Sequence, residues 1–234
     1  MRIEVRRDAA GVGDAAADAI AEVRPRVLGV ATGSSPIPTY HALARRGAGD
    51  IERLLLLDEY VGLAPDHPER YRNVVLSTVG AWLGVSADHV HGPDVDADDL
   101  DGAADAYEAT VIDAGVDVQI LGIGRNGHIG FNEPGTDFAS RTRVVDLSDT
   151  TRGDNARFFD RPDDVPRRAI TQGIATMLAA RRIVLVATGA SKASAVARLL
   201  RGQVDPSLPA SALSTHPDTV VVVDDDAHHL IGVR

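Results

Sequence analysis

His128 and Glu133 stand five residues apart in the stretch Leu121-Gly122-Ile123-Gly124-Arg125-Asn126-Gly127-His128-Ile129-Gly130-Phe131-Asn132-Glu133-Pro134-Gly135. A carboxylate that hydrogen-bonds one imidazole nitrogen fixes the tautomer and raises the basicity of the other, which suits proton transfer near neutral pH. The same two residues also fit a surface histidine with an unrelated glutamate. A second acidic group follows another apolar run, in Leu54-Leu55-Leu56-Leu57-Asp58-Glu59-Tyr60. A carboxylate at the end of a buried strand is partly desolvated, which raises its pKa and makes it a stronger base. An aspartate there is also an ordinary cap for the following turn.

Two further turns could hold an anion. Val27 to Ala31 leads into Thr32-Gly33-Ser34-Ser35-Pro36, and Ile183 to Ala187 leads into Thr188-Gly189-Ala190-Ser191-Lys192. Glycine lets the backbone approach a ligand, and serine hydroxyls with the free amides of the next helix can hold a phosphate. A Thr-Gly-Ser turn is equally a plain strand-to-helix connection with a cap. Neither turn has the spacing of a P-loop, and Gly122-Ile123-Gly124 lacks the third glycine of a dinucleotide fingerprint, so no nucleotide cofactor is expected. Lys192 is the one lysine among 24 Lys and Arg residues. Where arginine fills every other cationic position, a retained lysine suggests that an ammonium is needed there.

These groups suit sugar chemistry. A carboxylate base can shuttle a proton between adjacent carbons, and a histidine–carboxylate pair can open a hemiacetal ring. No Gly-x-Ser-x-Gly elbow is present, which disfavours a serine hydrolase.

The elements that must position these residues alternate. Val27 to Ala31, Leu54 to Leu57, Val116 to Ile123, Ile183 to Ala187 and Thr219 to Val223 read as strands buried on both faces, and Met1 to Val5 as an edge strand. Between them lie helical stretches: Asp8 to Val23, Pro36 to Arg46, Tyr71 to Leu83, Asp98 to Ala114, Pro166 to Ala180 and Ser191 to Leu200. Such alternation predicts one α/β domain, a doubly wound, mostly parallel, Rossmann-like sheet with helices on both faces. Every motif above then falls at the carboxyl edge, where open sheets bind ligands. The polar, arginine-rich segment from about residue 139 to 166 is expected to be a small lid.

Composition narrows the function classes. With 234 residues and 44% hydrophobic content the chain can bury a large core, filled by aliphatic side chains because aromatics are only 4%. Cysteine is absent, which excludes disulfides, thiolate metal sites and cysteine nucleophiles. The net charge of −10 and the lack of a basic stripe argue against nucleic acid. No run is long enough to cross a bilayer and the N-terminal stretch has no basic-then-apolar leader pattern, so a cytoplasmic protein without a membrane partner is expected. No metal ligand set and no cofactor are expected. The acidic runs Asp94 to Asp101 and Asp224-Asp225-Asp226 read as solvated loops and edges.

Six blocks taken together resemble the glucosamine-6-phosphate deaminase (isomerising) family. They are Ala31-Thr32-Gly33-Ser34-Ser35-Pro36, Leu57-Asp58-Glu59-Tyr60-Val61-Gly62-Leu63, Gly122 to Pro134, Ala139-Ser140-Arg141-Thr142-Arg143, Thr151-Arg152 through Arg157-Phe158-Phe159, and Gly189-Ala190-Ser191-Lys192-Ala193. The resemblance spans nearly the whole chain. It implies conversion of glucosamine 6-phosphate and water to fructose 6-phosphate and ammonia, a hydrolase-class reaction without a redox cofactor. It implies that Asp58 moves the C2 proton to C1, that His128 opens the pyranose with Glu133 as its partner, and that Ser34, Ser35, Arg157 and Lys192 hold the 6-phosphate beside Gly33. Arg157 enters by the resemblance alone.

The pattern departs at Asn126, where some members carry aspartate and others asparagine. Asparagine can orient a neighbour but cannot accept a proton at neutral pH. The chain also stops soon after its last predicted strand, whereas allosterically regulated hexameric members are longer. A monomer or small homo-oligomer without allosteric control is therefore expected. The rival readings are a galactosamine-6-phosphate deaminase/isomerase, a 6-phosphogluconolactonase and a catalytically silent sugar-phosphate sensor. The lactonases typically continue with a Ser-Leu-Phe-Pro type segment, where this chain has Phe131-Asn132-Glu133-Pro134. Joint retention of Asp58, His128 and Glu133 speaks against the sensor.

Overall fold

The computed structural model describes residues 1–47 and 49–230. In chain order the strands are β1 (Arg2–Arg6), β2 (Val27–Val30), β3 (Arg53–Leu56), β4 (Asp58–Val61), β5 (Val90–His91), β6 (Val118–Leu121), β7 (Arg143–Asp146), β8 (Arg168–Thr171), β9 (Arg182–Ala187) and β10 (Thr219–Asp224). The α-helices are α1 (Ala9–Ala21), α2 (Ile37–Arg45), α3 (Tyr71–Val75), α4 (Ala81–Leu83), α5 (Leu100–Ala114), α6 (Asp149–Asn155), α7 (Ile174–Leu178), α8 (Ala193–Leu200) and α9 (Asp225–His228). A π turn, Leu76–Gly80, joins α3 to α4 as one helical stretch.

Seven strands form the main sheet in the order β1-β10-β9-β6-β2-β3-β5, and every pair in it is parallel. This is the doubly wound sheet the alternation predicts, with β1 on one edge; β5, on the other, is only two residues long and was not expected. Its strands are short aliphatic runs such as Val220 to Val223, fully shielded by helices on both sides. The order reverses between β2 and β6. Chain leaves β2 toward β3 and β5, then returns to β6 on the other flank, which opens a crevice at the carboxyl ends of those strands.

A second, antiparallel sheet, β4-β8-β7, was not expected. It corrects two assignments. The stretch from Pro166 to Ala180 is not one helix: Arg168–Thr171 is β8, and only Ile174–Leu178 is helical. Its alanine-rich composition suits a helix, but pairing on both sides with β4 and β7 satisfies its backbone instead. The segment 139–166 likewise contributes β7 to this sheet, so only the part from Ser148 onward stands apart from it. Among the described residues no helix is long and apolar enough to cross a membrane.

Candidate active site

Leu57 is the point where the chain passes from one sheet to the other. Its amide donates to Val30 O of the main sheet at 3.3 Å, and its carbonyl accepts from Gln172 N beside the small sheet at 2.8 Å. Asp58 opens β4 in register with Thr171. Alternation along the strand then separates the two acids. Asp58 lines a cavity of about 660 Å³ and is only 7% exposed. Burial, aided by the neighbouring Glu59 charge, pushes its carboxyl up to about 8. Glu59 turns away and accepts the amides of Tyr71 at 2.9 Å and Arg72 at 2.8 Å, at the start of α3. The capping role is therefore Glu59's, and Asp58 is left free.

The loop after β6 carries the imidazole. Gly124 N donates to His128 O at 2.9 Å, closing a tight turn that folds the His128 ring back over Gly124. A Cβ on Gly124 would overlap that ring, so any other residue would displace the imidazole. His128 lines the same cavity, and burial lowers its pKa, against the opposing pull of Glu133. The imidazole is therefore neutral near pH 7.

The hydrogen bond expected between His128 and Glu133 is not made. Nδ1 of His128 lies 3.9 Å from Glu133 Oε2 and has no partner. Asn126 stands between them: its Nδ2 donates to Glu133 Oε2 at 2.8 Å, and its Oδ1 accepts the His128 amide at 3.1 Å. Glu133 also accepts from Ser148 at 2.9 Å and from the Thr151 hydroxyl. Burial alone would raise this carboxyl, but the Thr151 and Asn126 hydrogen bonds and the nearby imidazole outweigh it and hold it below its ordinary value. Glu133 is thus an anion locked in place behind His128.

The two glycine-containing turns meet in the cavity wall. Gly33 (φ 91°) and Gly189 (φ 85°) both adopt the left-handed region that favours glycine, which turns each chain sharply from strand toward helix. Ser35 Oγ lies 3.5 Å from Thr188 Oγ1, so the turns after β2 and β9 touch. The Gly189 amide is already taken by the Asp224 carboxylate, at 2.9 and 3.0 Å, and is not free for a ligand. Gly33, Ser34, Ser35, Ser191 and Lys192 all line the cavity. Burial holds the Lys192 ammonium below its ordinary value, with Asp154 opposing that fall and Arg125 and Arg157 adding to it.

Residues after β7 contribute to the cavity wall. Ser148 caps α6 by accepting Thr151 N at 3.1 Å. Thr151, Asp154, Asn155, Arg157 and Phe158 from this segment line the cavity. Asn155 Nδ2 donates to the Tyr60 hydroxyl at 2.9 Å, and the Arg157 guanidinium lies 4.7 Å from the centre of the Phe158 ring.

The structure therefore brings Gly33, Ser34, Ser35, Asp58, His128, Arg157 and Lys192 to one cavity, with Asn126 and Glu133 directly behind the imidazole. Glu69, Tyr71, Arg125 and Asp154 also line it and carried no local signal. Chemically, the site offers a buried base of raised pKa, a neutral imidazole and a cationic end for an anion.

The chain is similar to known proteins over nearly its whole length. The family model described as glucosamine-6-phosphate isomerases/6-phosphogluconolactonase matches residues 5–222. A glucosamine-6-phosphate deaminase of Pseudarthrobacter chlorophenolicus is 49% identical over 97% of this chain and 91% of its own length. One from Rhodopirellula baltica is 50% identical over 89% of this chain and 85% of its own. A solved monomeric glucosamine-6-phosphate deaminase superposes with a TM-score of 0.93 at 40% identity, covering 98% of this chain and 100% of that one. The 6-phosphogluconolactonase of Trypanosoma brucei shares the fold at a TM-score of 0.76 and 20% identity, over 97% of each chain.

Proposed function

The chain belongs to the glucosamine-6-phosphate isomerase/6-phosphogluconolactonase family, and from that membership we propose that it converts glucosamine 6-phosphate and water into fructose 6-phosphate and ammonia. The observation that carries this reading is Asp58. A lactonase needs to activate water at a carbonyl, whereas an aldose–ketose isomerisation needs a base beside a carbon acid. A buried carboxyl raised to about 8, in one cavity with a neutral imidazole and a cationic end, is suited to the second task.

In this reading Lys192, Arg157, Ser34 and Ser35 hold the 6-phosphate, and the Gly33 turn lets the backbone approach it. The neutral His128 takes the proton of the anomeric hydroxyl and returns it to the ring oxygen, which opens the pyranose to the aldehyde. Glu133, held by Asn126, supports the imidazolium formed in passing. Asp58 then removes the C2 proton as O1 is protonated, giving an enolamine. Return of the proton to C1 leaves a C2 iminium, to which water adds. Loss of ammonia leaves the ketone. No redox cofactor takes part.

We further assign residues from Ser148 to about residue 166 as a lid on a single catalytic domain. The protein is read as cytoplasmic and as a monomer or small homo-oligomer, in keeping with the monomeric solved relative. The test is an ammonia assay with glucosamine, galactosamine and N-acetylglucosamine 6-phosphates. Ammonia and fructose 6-phosphate from the first are expected. Hydrolysis of a sugar-phosphate lactone with no ammonia from any amino sugar would overturn the reading.

A further inference from the structure

Arg125 follows Gly124 in the β6 loop, and Asp154 sits on α6 across the mouth of the cavity. Arg125 Nη2 donates to Asp154 Oδ1 at 2.9 Å, a single hydrogen bond between side chains 64% and 32% exposed. Both residues line the cavity with Arg157 and Lys192. A pair so exposed contributes little as a fixed staple. Its position gives it another use. Lys192 feels Arg125 and Arg157 as like charges and Asp154 as the opposing one, so all four share one local field. Three cations face one carboxylate there, leaving an excess that matches the roughly −1.5 to −2 charge of a phosphate monoester. The guanidinium spends one of its five N–H donors on Asp154, and a phosphate can take two in parallel.

We propose that Arg125 is a further phosphate-binding residue, and that Asp154 is its antagonist, an internal anion that competes with phosphate for the same guanidinium. This deepens the assignment of the cationic end to the sugar's 6-phosphate and rests on it. Asp154 sets a threshold at the mouth of the site. A free inorganic phosphate ion has only the cationic end to hold it and competes poorly against the carboxylate. A sugar phosphate also engages the groups around Asp58 and His128, and displaces the carboxylate. The pair thereby selects phosphate carried on a sugar over phosphate alone.

The roles have opposite signs, and this separates the proposal from a staple. We would measure inorganic phosphate binding by calorimetry, and the KM for glucosamine 6-phosphate, on the full chain and on Arg125→Gln, Asp154→Asn and Lys192→Ala. Thermal unfolding of each variant checks folding. Arg125→Gln is expected to weaken phosphate binding about five- to tenfold and to raise KM. Asp154→Asn is expected to tighten phosphate binding by a similar factor. A staple requires both substitutions to act in the same direction. If they do not move oppositely while Lys192→Ala weakens phosphate binding, the proposal for Arg125 and Asp154 is overturned and the phosphate assignment stands. If Lys192→Ala also leaves phosphate binding unchanged, the assignment of that end to phosphate falls as well.

Discussion

The Asn126 amide donates to Glu133 Oε2 at 2.8 Å, while the His128 imidazole remains 3.9 Å from the same oxygen. Glutamate therefore acts on histidine through its charge and through a shared neighbour, rather than by a direct hydrogen bond. Asparagine suits this place because it donates to the carboxylate with one arm and accepts the His128 amide with the other.

Replacing Asn126 by aspartate should keep the second contact and reverse the first. Two carboxylates would then share one hydrogen bond, and one of them must hold a proton. Turnover of Asn126→Asp is expected to stay within about tenfold of wild type near pH 6 and to fall further toward pH 9, as general acid–base contributions of this size allow. A kcat–pH profile checks this. An unchanged profile would mean that position 126 does not control Glu133.

Asp58→Asn should lower kcat by about 10³-fold or more while substrate binding is kept. The same substitution should alter stability in a pH-dependent way. The folded Asp58 carboxyl titrates near 8 instead of near 3.8, the ordinary value for aspartate. Between those values the folded protein holds a proton that the unfolded chain has lost, so stability falls as pH rises through that window. Each tenfold change in acidity is worth about 1.4 kcal/mol, which makes the loss on the order of a few kcal/mol. The asparagine side chain of the variant has no such proton to lose. Thermal unfolding should show the variant more stable than wild type at pH 8 and the advantage gone at pH 4. In wild type, kcat/KM should climb with pH toward a limb near 8.

Gly124→Ala tests the turn that seats the imidazole. The added methyl would overlap the His128 ring, so the ring must move. Activity is expected to drop by about 10²-fold, as misplacement by an ångström can cause. Inorganic phosphate affinity should fall by no more than Arg125→Gln costs, because Ser34, Ser35, Arg157 and Lys192 stand on other segments and only Arg125 shares this loop. Loss of phosphate binding would show instead that the whole loop had collapsed.

Glu133→Gln should couple two effects. Glu133 accepts from Ser148 and Thr151 at the start of α6 as well as from Asn126. A glutamine presents an NH₂ group to at least one of these donors, leaving a half-buried mismatch that costs about 1 kcal/mol. Amide hydrogen exchange over residues 149–158 should accelerate, and kcat should fall with it. Lost turnover with unchanged exchange would restrict Glu133 to its charge on His128.

Much of this architecture is written locally. Runs such as Val220 to Val223 can only be buried strands, and Gly33 and Gly189 mark turns whose backbone favours glycine. Six of the seven main-sheet strands, their mostly parallel run and the loops that bear Asp58, His128 and Lys192 follow from such signals; the two-residue β5 and the strand order do not. The small sheet does not. Arg168–Thr171 is four residues long and alanine-containing, and it is a strand only because β4 and β7, distant in sequence, flank it.

Residue order alone is enough to say which groups reach the carboxyl edge, because strand burial and glycine turns are set by neighbouring residues. What those groups meet there is settled by long-range packing. Alternation in a strand that joins two sheets sends Asp58 into the cavity and Glu59 to a helix end. The packing of residues 148–158 beside the β6 loop supplies Thr151 to Glu133 and Asp154 to Arg125. Each of these contacts pairs groups whose separation along the chain leaves no periodic trace, so their energies exist only once the two sheets and residues 148–158 have packed together.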